Sequence, residues 1–472
     1  MNRQRFFRRL KTSVLAGLLV LGLMALGVSG CGKSAPTPEE TNKRLQELLP
    51  IAEDLLNDLE AGKYAEIVDQ YFDATMQKAL GAETLAQSWQ TISSFGTLQN
   101  IERQQATLDR QQKYDVLTLP LLYSAGLMHL ICTFDHENNI AGLFLRPATN
   151  TGAAAEQPSL PDALEEREMR LEVQPGYPLP GTLTLPVRRE GTLPAVILVH
   201  GSGPQDRNET IYANQPFRDL AWGLAQQGIA VLRYEKITKE HGAALVAAPE
   251  YANFTVREET ILDAVGLTAW LKNQPEIDAT QVYILGHSQG GMLAPAIENA
   301  GADAAGMVIL AGSPRHLWEI IYDQNLDALA QMESQGKDTA AQRAQLEEEI
   351  AKARQLPTMR EEEARATTIF GISGYYLWQW ESIDAAALLK QSGKPALILQ
   401  GSRDFQVYAT KDYPLWQKQL QGTPDITYHL YPGLSHIFGA YAGDGAGTIG
   451  EYQHPQPIAA EVIEDIAQWI QK

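Results

Sequence analysis

The sequence predicts an α/β domain with a mostly parallel sheet and a helical insertion, preceded by a small α+β domain. Three observations predict it. From Glu166 onward, short apolar runs rich in β-branched residues alternate with helical stretches, the pattern of a parallel sheet covered by helices. The alternation stops once, between Ser313 and Gly393, where a charged, Ala- and Glu-rich helical segment intervenes. The pentapeptide Gly286-His287-Ser288-Gln289-Gly290 falls where an apolar run, Gln281 to Leu285, meets the start of a buried helix, Gly291 to Ile297. A serine held on such a strained strand-to-helix turn is how a hydrolase presents a nucleophile. The pattern fixes only three residue types and would arise by chance roughly 0.2 times in a chain this long, so its context must carry it.

The chain has 472 residues, enough for two folded units with tails. At its start, Arg3, Arg5, Arg8, Arg9 and Lys11 precede the apolar run Val14 to Val28 and the small residues Ser29 and Gly30, so residues 1–30 read as a secretory signal peptide. That run falls short of the roughly 20 residues that span a bilayer, which disfavours a retained membrane helix. Val28-Ser29-Gly30-Cys31 resembles the bacterial lipobox, which implies that Cys31 becomes the diacylated first residue of an exported, cell-surface lipoprotein. Ordinary cleavage with an unmodified Cys31 is the alternative. Residues 31–40, with Pro36 and Pro38, read as a tether. Membrane association is then expected through the lipid anchor only.

Once residues 1–30 are removed, 33 basic residues face 57 acidic ones, a net charge of −24. So acidic a surface argues against a nucleic-acid partner. With Cys31 lipidated, Cys132 is the remaining thiol, so an internal disulfide is ruled out, and its apolar run Met128 to Phe134 marks it as a packing residue.

Residues 41–147 read as the small α+β domain. Leu45, Leu48, Ile51, Leu55 and Leu56 recur at helical spacing over Thr41 to Leu59, with a possible break at Pro50, and a second helical stretch runs from about Tyr64 to Leu80. Strands are expected at Tyr114 to Leu122, Gly126 to Phe134 and Ile140 to Leu145. The domain shows no metal-ligand spacing, and His129 and His136 read as a strand and a turn residue. Residues 148–165 are a linker rich in Ala, Thr, Gly and Pro.

The second domain, 166–472, opens with a hairpin, Met169 to Val173 and Gly181 to Leu185. Strands follow at Ala195 to Val199, Ala230 to Tyr234, Val282 to Leu285, Met307 to Leu310, Ala396 to Leu399 and Ile426 to Tyr431, and the domain closes on a helix from Ile458 to Ile470. The insertion at about 314–392 falls where a lid would overhang the carboxyl edge of the sheet. Its charged run Glu347 to Lys352 reads as a solvated helix face.

A serine hydroxyl needs an imidazole to take its proton, and the imidazole needs a carboxylate to fix its tautomer. In this kind of fold the order is serine, acid, histidine, each in a loop after a strand. Asp404 follows the strand Ala396 to Leu399 and is the assigned acid, with Asp412 its competitor. His436 sits in the loop directly after the strand Ile426 to Tyr431 and is the assigned base. His316, His429 and His454 are the other histidines downstream of Ser288. His287, though adjacent to the serine, is expected to be structural. Donors for an oxyanion are expected from the backbone N–H of Gln289 and from the loop His200-Gly201-Ser202-Gly203-Pro204, with Ser202 N–H as the donor there.

With these residues in place, 166–472 resembles the α/β-hydrolase superfamily. The stretches His200 to Glu209, Val231 to Lys236 and Ala311 to Arg315 resemble the bacterial esterases typified by the Thermotoga esterase D, in which a small α+β domain also comes first. The resemblance implies an α/β-hydrolase fold and a carboxylesterase acting on short or small acyl esters, with Ser288, Asp404 and His436 as triad and neither cofactor nor metal. The chain departs from the group's pattern at Glu235-Lys236-Ile237, where Asp-Lys-Arg is usual, which leaves the role of that loop open. The aromatic residues Tyr375, Tyr376, Trp378 and Trp380 in the insertion either line an acyl pocket or pack the insertion onto the sheet. A peptidase of prolyl-oligopeptidase type, a thioesterase and a non-catalytic binding protein with the same fold are the alternative readings.

Overall fold

The computed structural model describes residues 37–147 and 158–472, apart from residues 83–84, 87–88, 90–97, 111–112, 124–125, 335, 337 and 444. The expected signal peptide, Cys31, the first part of the tether and residues 148–157 of the linker lie outside the described residues. Among the described residues no helix is long and apolar enough to cross a membrane. The chain divides into two units. One comprises the described residues of Met1–Asn150 together with Leu329–Glu349, the other Thr151–Ala328 and Ile350–Lys472.

In the first unit a long helix, Pro38–Glu60, starts from a capping box in which Thr37 and Glu40 satisfy one another's backbone N–H groups. The helix runs on through Pro50 without a break. Leu48, Ala52, Leu55, Leu56 and Leu59 form one buried stripe spanning the proline, and that packing outweighs the single hydrogen bond the proline removes. The stretch expected as one helix near 64–80 is two, Tyr64–Tyr71 and Ala74–Ala79, because Phe72 turns extended and bridges Ile140. Five antiparallel strands follow: β1 (Leu98–Ile101), β2 (Thr107–Arg110), β3 (Asp115–Tyr123), β4 (Gly126–Phe134) and β5 (Ile140–Pro147), in the order β1-β3-β4-β5 with β2 also on β3. The last three match expectation. The four-residue β1 and β2 are new, being too short for a period to show. Leu117, Leu119, Leu130, Cys132 and Phe134 meet the helix stripe in one core. Cys132 is fully buried, which pushes its thiol up to about 12, in keeping with a packing role. His129 lies in β4 and His136 in the turn after it.

The second unit holds an eight-stranded sheet built from β6 (Leu164–Gln174), β7 (Tyr177–Pro186), β8 (Leu193–Val199), β9 (Ala230–Tyr234), β10 (Ile277–His287), β11 (Gly306–Leu310), β14 (Ala396–Gly401) and β15 (Ile426–Tyr431). β12 (Thr368–Ile369) and β13 (Ile372–Ser373) form a separate small hairpin. The sheet order is β15-β14-β11-β10-β8-β9-β7-β6, with six parallel strands and the β6–β7 hairpin antiparallel at one edge. Alternate residues of one strand serve opposite faces. Ala195, Ile197 and Val199 of β8 join one core, Val196 and Leu198 the other. A sheet covered on both faces explains why these strands read as unbroken apolar runs. Because β8 and β10 are neighbours while β9 lies on the far side of β8, the chain reverses its winding between them. A crevice opens at such a switch point, outside the carboxyl ends of the strands.

The insertion supplies helices at Leu317–Ser334, Ala340–Ala353, Glu361–Arg365, Gly374–Trp380 and Ala385–Ser392. Read from sequence as wholly part of the second domain, it divides instead, since Leu329–Glu349 groups with the first unit. Leu329 and Leu346, one on each of the first two helices of the insertion, are both buried. Glu347 and Glu348 are exposed as expected, but Glu349 is buried, one turn from Leu346 and Ala353 on the inner face.

Asp263 carries a stability consequence. It is 1% exposed, accepts a 2.9 Å hydrogen bond from Gln174 Nε2, and its other oxygen has no partner. Burial pushes its carboxyl up to about 7, so the folded protein holds a proton that the unfolded chain releases near 3.8. Stability is therefore full below the lower value and falls as pH rises towards 7, by up to about 4 kcal/mol at 1.36 kcal/mol per unit. Asp263→Asn should flatten that fall and melt above wild type at pH 8. Parallel melting curves of the two proteins between pH 5 and 8 would contradict the assignment.

Candidate active site

The turn after β10 is forced by backbone crowding. A Cβ on Gly286 would stand 2.1 Å from the Gly290 carbonyl oxygen, and one on Gly290 2.1 Å from that of Val199 at the end of β8. Only glycine lets the helix Gln289–Ile297 start this close to the sheet. Ser288, between them, takes φ 53° and ψ −117°, a strained conformation for a residue with a side chain, and its N–H donates to Leu310 O at 2.8 Å. Gln289 opens the helix, where the first N–H groups have no acceptor within the helix.

Asp404 and His436 are brought together as expected. His436 Nδ1 lies 2.8 Å from Asp404 Oδ2, and both residues are buried. Asp404 Oδ1 accepts from the backbone N–H groups of Gln406 and Val407, at 2.8 Å each, and Oδ2 also accepts from Gln400 Nε2 at 2.8 Å. A carboxylate facing Nδ1 puts the imidazole proton there and leaves Nε2 as the basic nitrogen. The competing acid is committed elsewhere: Asp412 takes a two-pronged hydrogen bond from Arg315 and another from Ser313 Oγ. The other downstream histidines also have their own partners, His316 with Glu381, His429 with Asp465 and His454 stacked on Tyr441.

The loop after β8 comes up against the elbow. A Cβ on Gly201 would lie 3.3 Å from Ser288 Cβ. Gly201 N–H is itself taken by Glu209 Oε1 at 2.6 Å. His200 is buried, which pushes it down to about 4 and keeps it neutral.

Three residues near this site had no predicted part in it. Glu209, 1% exposed and itself at φ 50°, bonds Gly201 N and also His287 Nδ1 at 2.8 Å. His287 Nε2 faces His436 O at 3.0 Å. Both ring nitrogens of His287 thus point at acceptors, as an imidazolium requires. Burial opposes that charge, but the Glu209 carboxylate and the two hydrogen bonds prevail and raise its pKa above the usual histidine value. Expected to be structural, His287 ties the loop that carries His436 to the loop after β8, through Glu209. Lys236, also 1% exposed, donates to Gly201 O at 2.9 Å and pairs with Glu259 at 2.8 Å. The loop whose role the Glu235-Lys236-Ile237 departure left open is therefore well anchored: Glu235 pairs with Arg207 and Ile237 is in the core. The only signal for these residues in the sequence was their place inside the quoted stretches.

The aromatic residues of the insertion separate by role. Trp380 packs into the core of the second unit and Trp378 Nε1 donates to Met359 O, while Tyr376 bonds to Glu259 and to the side chain of Gln289. A cavity of about 220 Å³ lined by Arg207, Arg218, Arg233, Glu166, Glu168 and Trp222 includes none of Ser288, Asp404 and His436. Its arginines are paired with acidic neighbours, Arg207 with Glu168 and Glu235, Arg218 with Asp219 and Arg233 with Glu166, so it is an ion-pair network of the sheet edge.

Comparison with known proteins gives two family matches, the Alpha/beta hydrolase family over residues 196–444 and a protein of unknown function, DUF3887, over residues 52–143. The chain is 33% identical to Esterase EstD of Thermotoga maritima over 363 residues, which cover 77% of this chain and 81% of the relative. Among solved structures, Est1E from Butyrivibrio proteoclasticus is 17% identical with a TM-score of 0.39, covering 65% of this chain and 99% of its own. Dienelactone hydrolase from Anabaena variabilis is 18% identical with a TM-score of 0.38, covering 66% and 98%.

Proposed function

The chain belongs to the alpha/beta hydrolase family, and from that premise we propose that it is a serine carboxylesterase acting on short or small acyl esters. The observation that carries the reading is the His436–Asp404 pair, whose histidine accepts at its backbone carbonyl from His287, the residue before Ser288, in a chain one-third identical to a named esterase. Ser288 Oγ attacks the ester carbonyl as its proton passes to His436 Nε2, and Asp404 stabilises the imidazolium. The oxyanion is held by the N–H groups of Gln289 and Ser202. Collapse returns the proton to the leaving alcohol and leaves an acyl group on Ser288. Water, deprotonated by His436, then releases the acid and restores the serine. Every proton and electron pair comes from side chains, substrate or water, so the cycle balances without a cofactor or metal.

The test is hydrolysis of p-nitrophenyl esters of increasing acyl length and of aminoacyl-anilides by the protein lacking residues 1–30, beside Ser288→Ala. Cleavage of the short esters that depends on Ser288 is expected. Anilide cleavage exceeding ester cleavage would move the reading to a peptidase.

We also propose that the protein is exported and held at the membrane by lipid on Cys31, on the strength of the basic, apolar and small-residue succession that ends there. Cys31→Ser should shift the protein from the membrane fraction to the soluble one in a bacterial host, with esterase activity per mole unchanged. Equal membrane retention of the two proteins would remove the anchor from the account.

A further inference from the structure

Resting on the esterase reading, we propose that Lys236 and Tyr376 are positioning residues that connect the helical insertion to both oxyanion donors. The connection is a continuous chain of polar contacts. Lys236 Nζ donates to Gly201 O at 2.9 Å and pairs with Glu259 Oε1 at 2.8 Å. The other oxygen of Glu259 accepts from the hydroxyl of Tyr376, and that hydroxyl accepts from Gln289 Nε2 at 3.3 Å. One end of the chain is thus the peptide that carries Ser202 N–H, and the other is the side chain of Gln289. Tyr376 lies in the insertion helix Gly374–Trp380.

The peptide unit makes the first contact consequential. The Gly201–Ser202 peptide is planar, so its C=O and N–H are held in opposite directions. Anchoring Gly201 O therefore aims Ser202 N–H. A cation on the carbonyl also polarises the amide and strengthens its N–H as a donor. Glu209 holds the preceding N–H at 2.6 Å, so Gly201 is gripped on both sides by buried charges of opposite sign. An ammonium is costly to bury, and an apolar side chain would fill the same space without that penalty. What an apolar residue cannot do is hold a carbonyl. Glu259 sits in a π-helical turn, Arg257–Ile261, the irregularity that swings a side chain out of helical register, as is common at functional sites.

Two variants test the chain, Lys236→Met and Tyr376→Phe, with p-nitrophenyl acetate as substrate and phenylboronic acid as a mimic of the tetrahedral intermediate on Ser288. Misaiming a donor should lower kcat by about 10- to 100-fold in Lys236→Met, less than deleting one outright, and by about 3- to 10-fold in Tyr376→Phe. KM should stay within about twofold, and boronate affinity should fall by the same factor as kcat, because the donors act on the tetrahedral state and not on the bound ester. A residue that merely supports the fold would lower the amount of active enzyme and leave boronate affinity per active site unchanged. Should Lys236→Met fail to melt cooperatively, Tyr376→Phe decides, since it removes one oxygen. Folded variants with wild-type kcat and boronate affinity, beside a Ser288-dependent wild type, overturn the positioning role alone. A wild type whose ester hydrolysis is absent or survives Ser288→Ala overturns the esterase reading and this role with it.

Discussion

Ser288→Ala should lower kcat for p-nitrophenyl butyrate by about 10⁴-fold or more while leaving the fold intact, because triad members act as a unit and the remaining ones contribute little without the nucleophile. The structure gives reasons to expect an intact fold. Ser288 already has φ 53°, so alanine, which keeps the Cβ, meets the same backbone strain and adds none. The N–H bond to Leu310 O and the helix contact from Met292 N to Ser288 O are main-chain and survive. The melting temperature should therefore match wild type. Hydrolysis within tenfold of wild type would show that Ser288 is not the nucleophile, whereas a loss of cooperative melting would show that its hydroxyl is part of the fold.

How much of this was legible in the sequence follows from the range over which each signal acts. The parallel sheet was legible because its strands are covered on both faces and read as apolar runs, and the triad candidates because each follows such a run. Asp404 and His436, 32 residues apart, then meet as the serine, acid, histidine order requires. The small strands β1 and β2 were not legible, since four residues cannot display a period of two against their neighbours. Nor was the division of the insertion, because which body covers a helix is decided by the whole chain. Glu209 and Lys236 were hidden for a different reason. A charged residue in a loop ordinarily predicts solvent, and only the fold reveals that each is buried against the backbone of Gly201. Residues that orient backbone groups leave no spacing rule, whereas residues that do chemistry must follow the strands.

The second large effect is expected from Asp404→Asn, at about 10⁴-fold in kcat, and the hydrogen bonds around the carboxylate explain why. Oδ1 faces two backbone donors, Gln406 N and Val407 N, so an asparagine must turn its carbonyl oxygen that way. Its NH₂ group then occupies the place of Oδ2, against His436 Nδ1 and Gln400 Nε2. Donating to Nδ1, it drives the imidazole proton onto Nε2, the atom that must be free to accept the serine proton. The same turn sets the new NH₂ against the donor of Gln400, which loses that acceptor but keeps Val407 O at 3.1 Å, so the fold should survive at some cost in melting temperature while the base is disabled. Asp412→Asn should show the opposite pattern. Its carboxylate balances the half-buried Arg315 and accepts from Ser313, so the variant should melt at a lower temperature and keep kcat within about tenfold, Asp412 having no part in proton transfer. Measuring kcat and melting temperature for both variants separates the roles, and an active Asp404→Asn beside an inactive but stable Asp412→Asn would exchange the assignments.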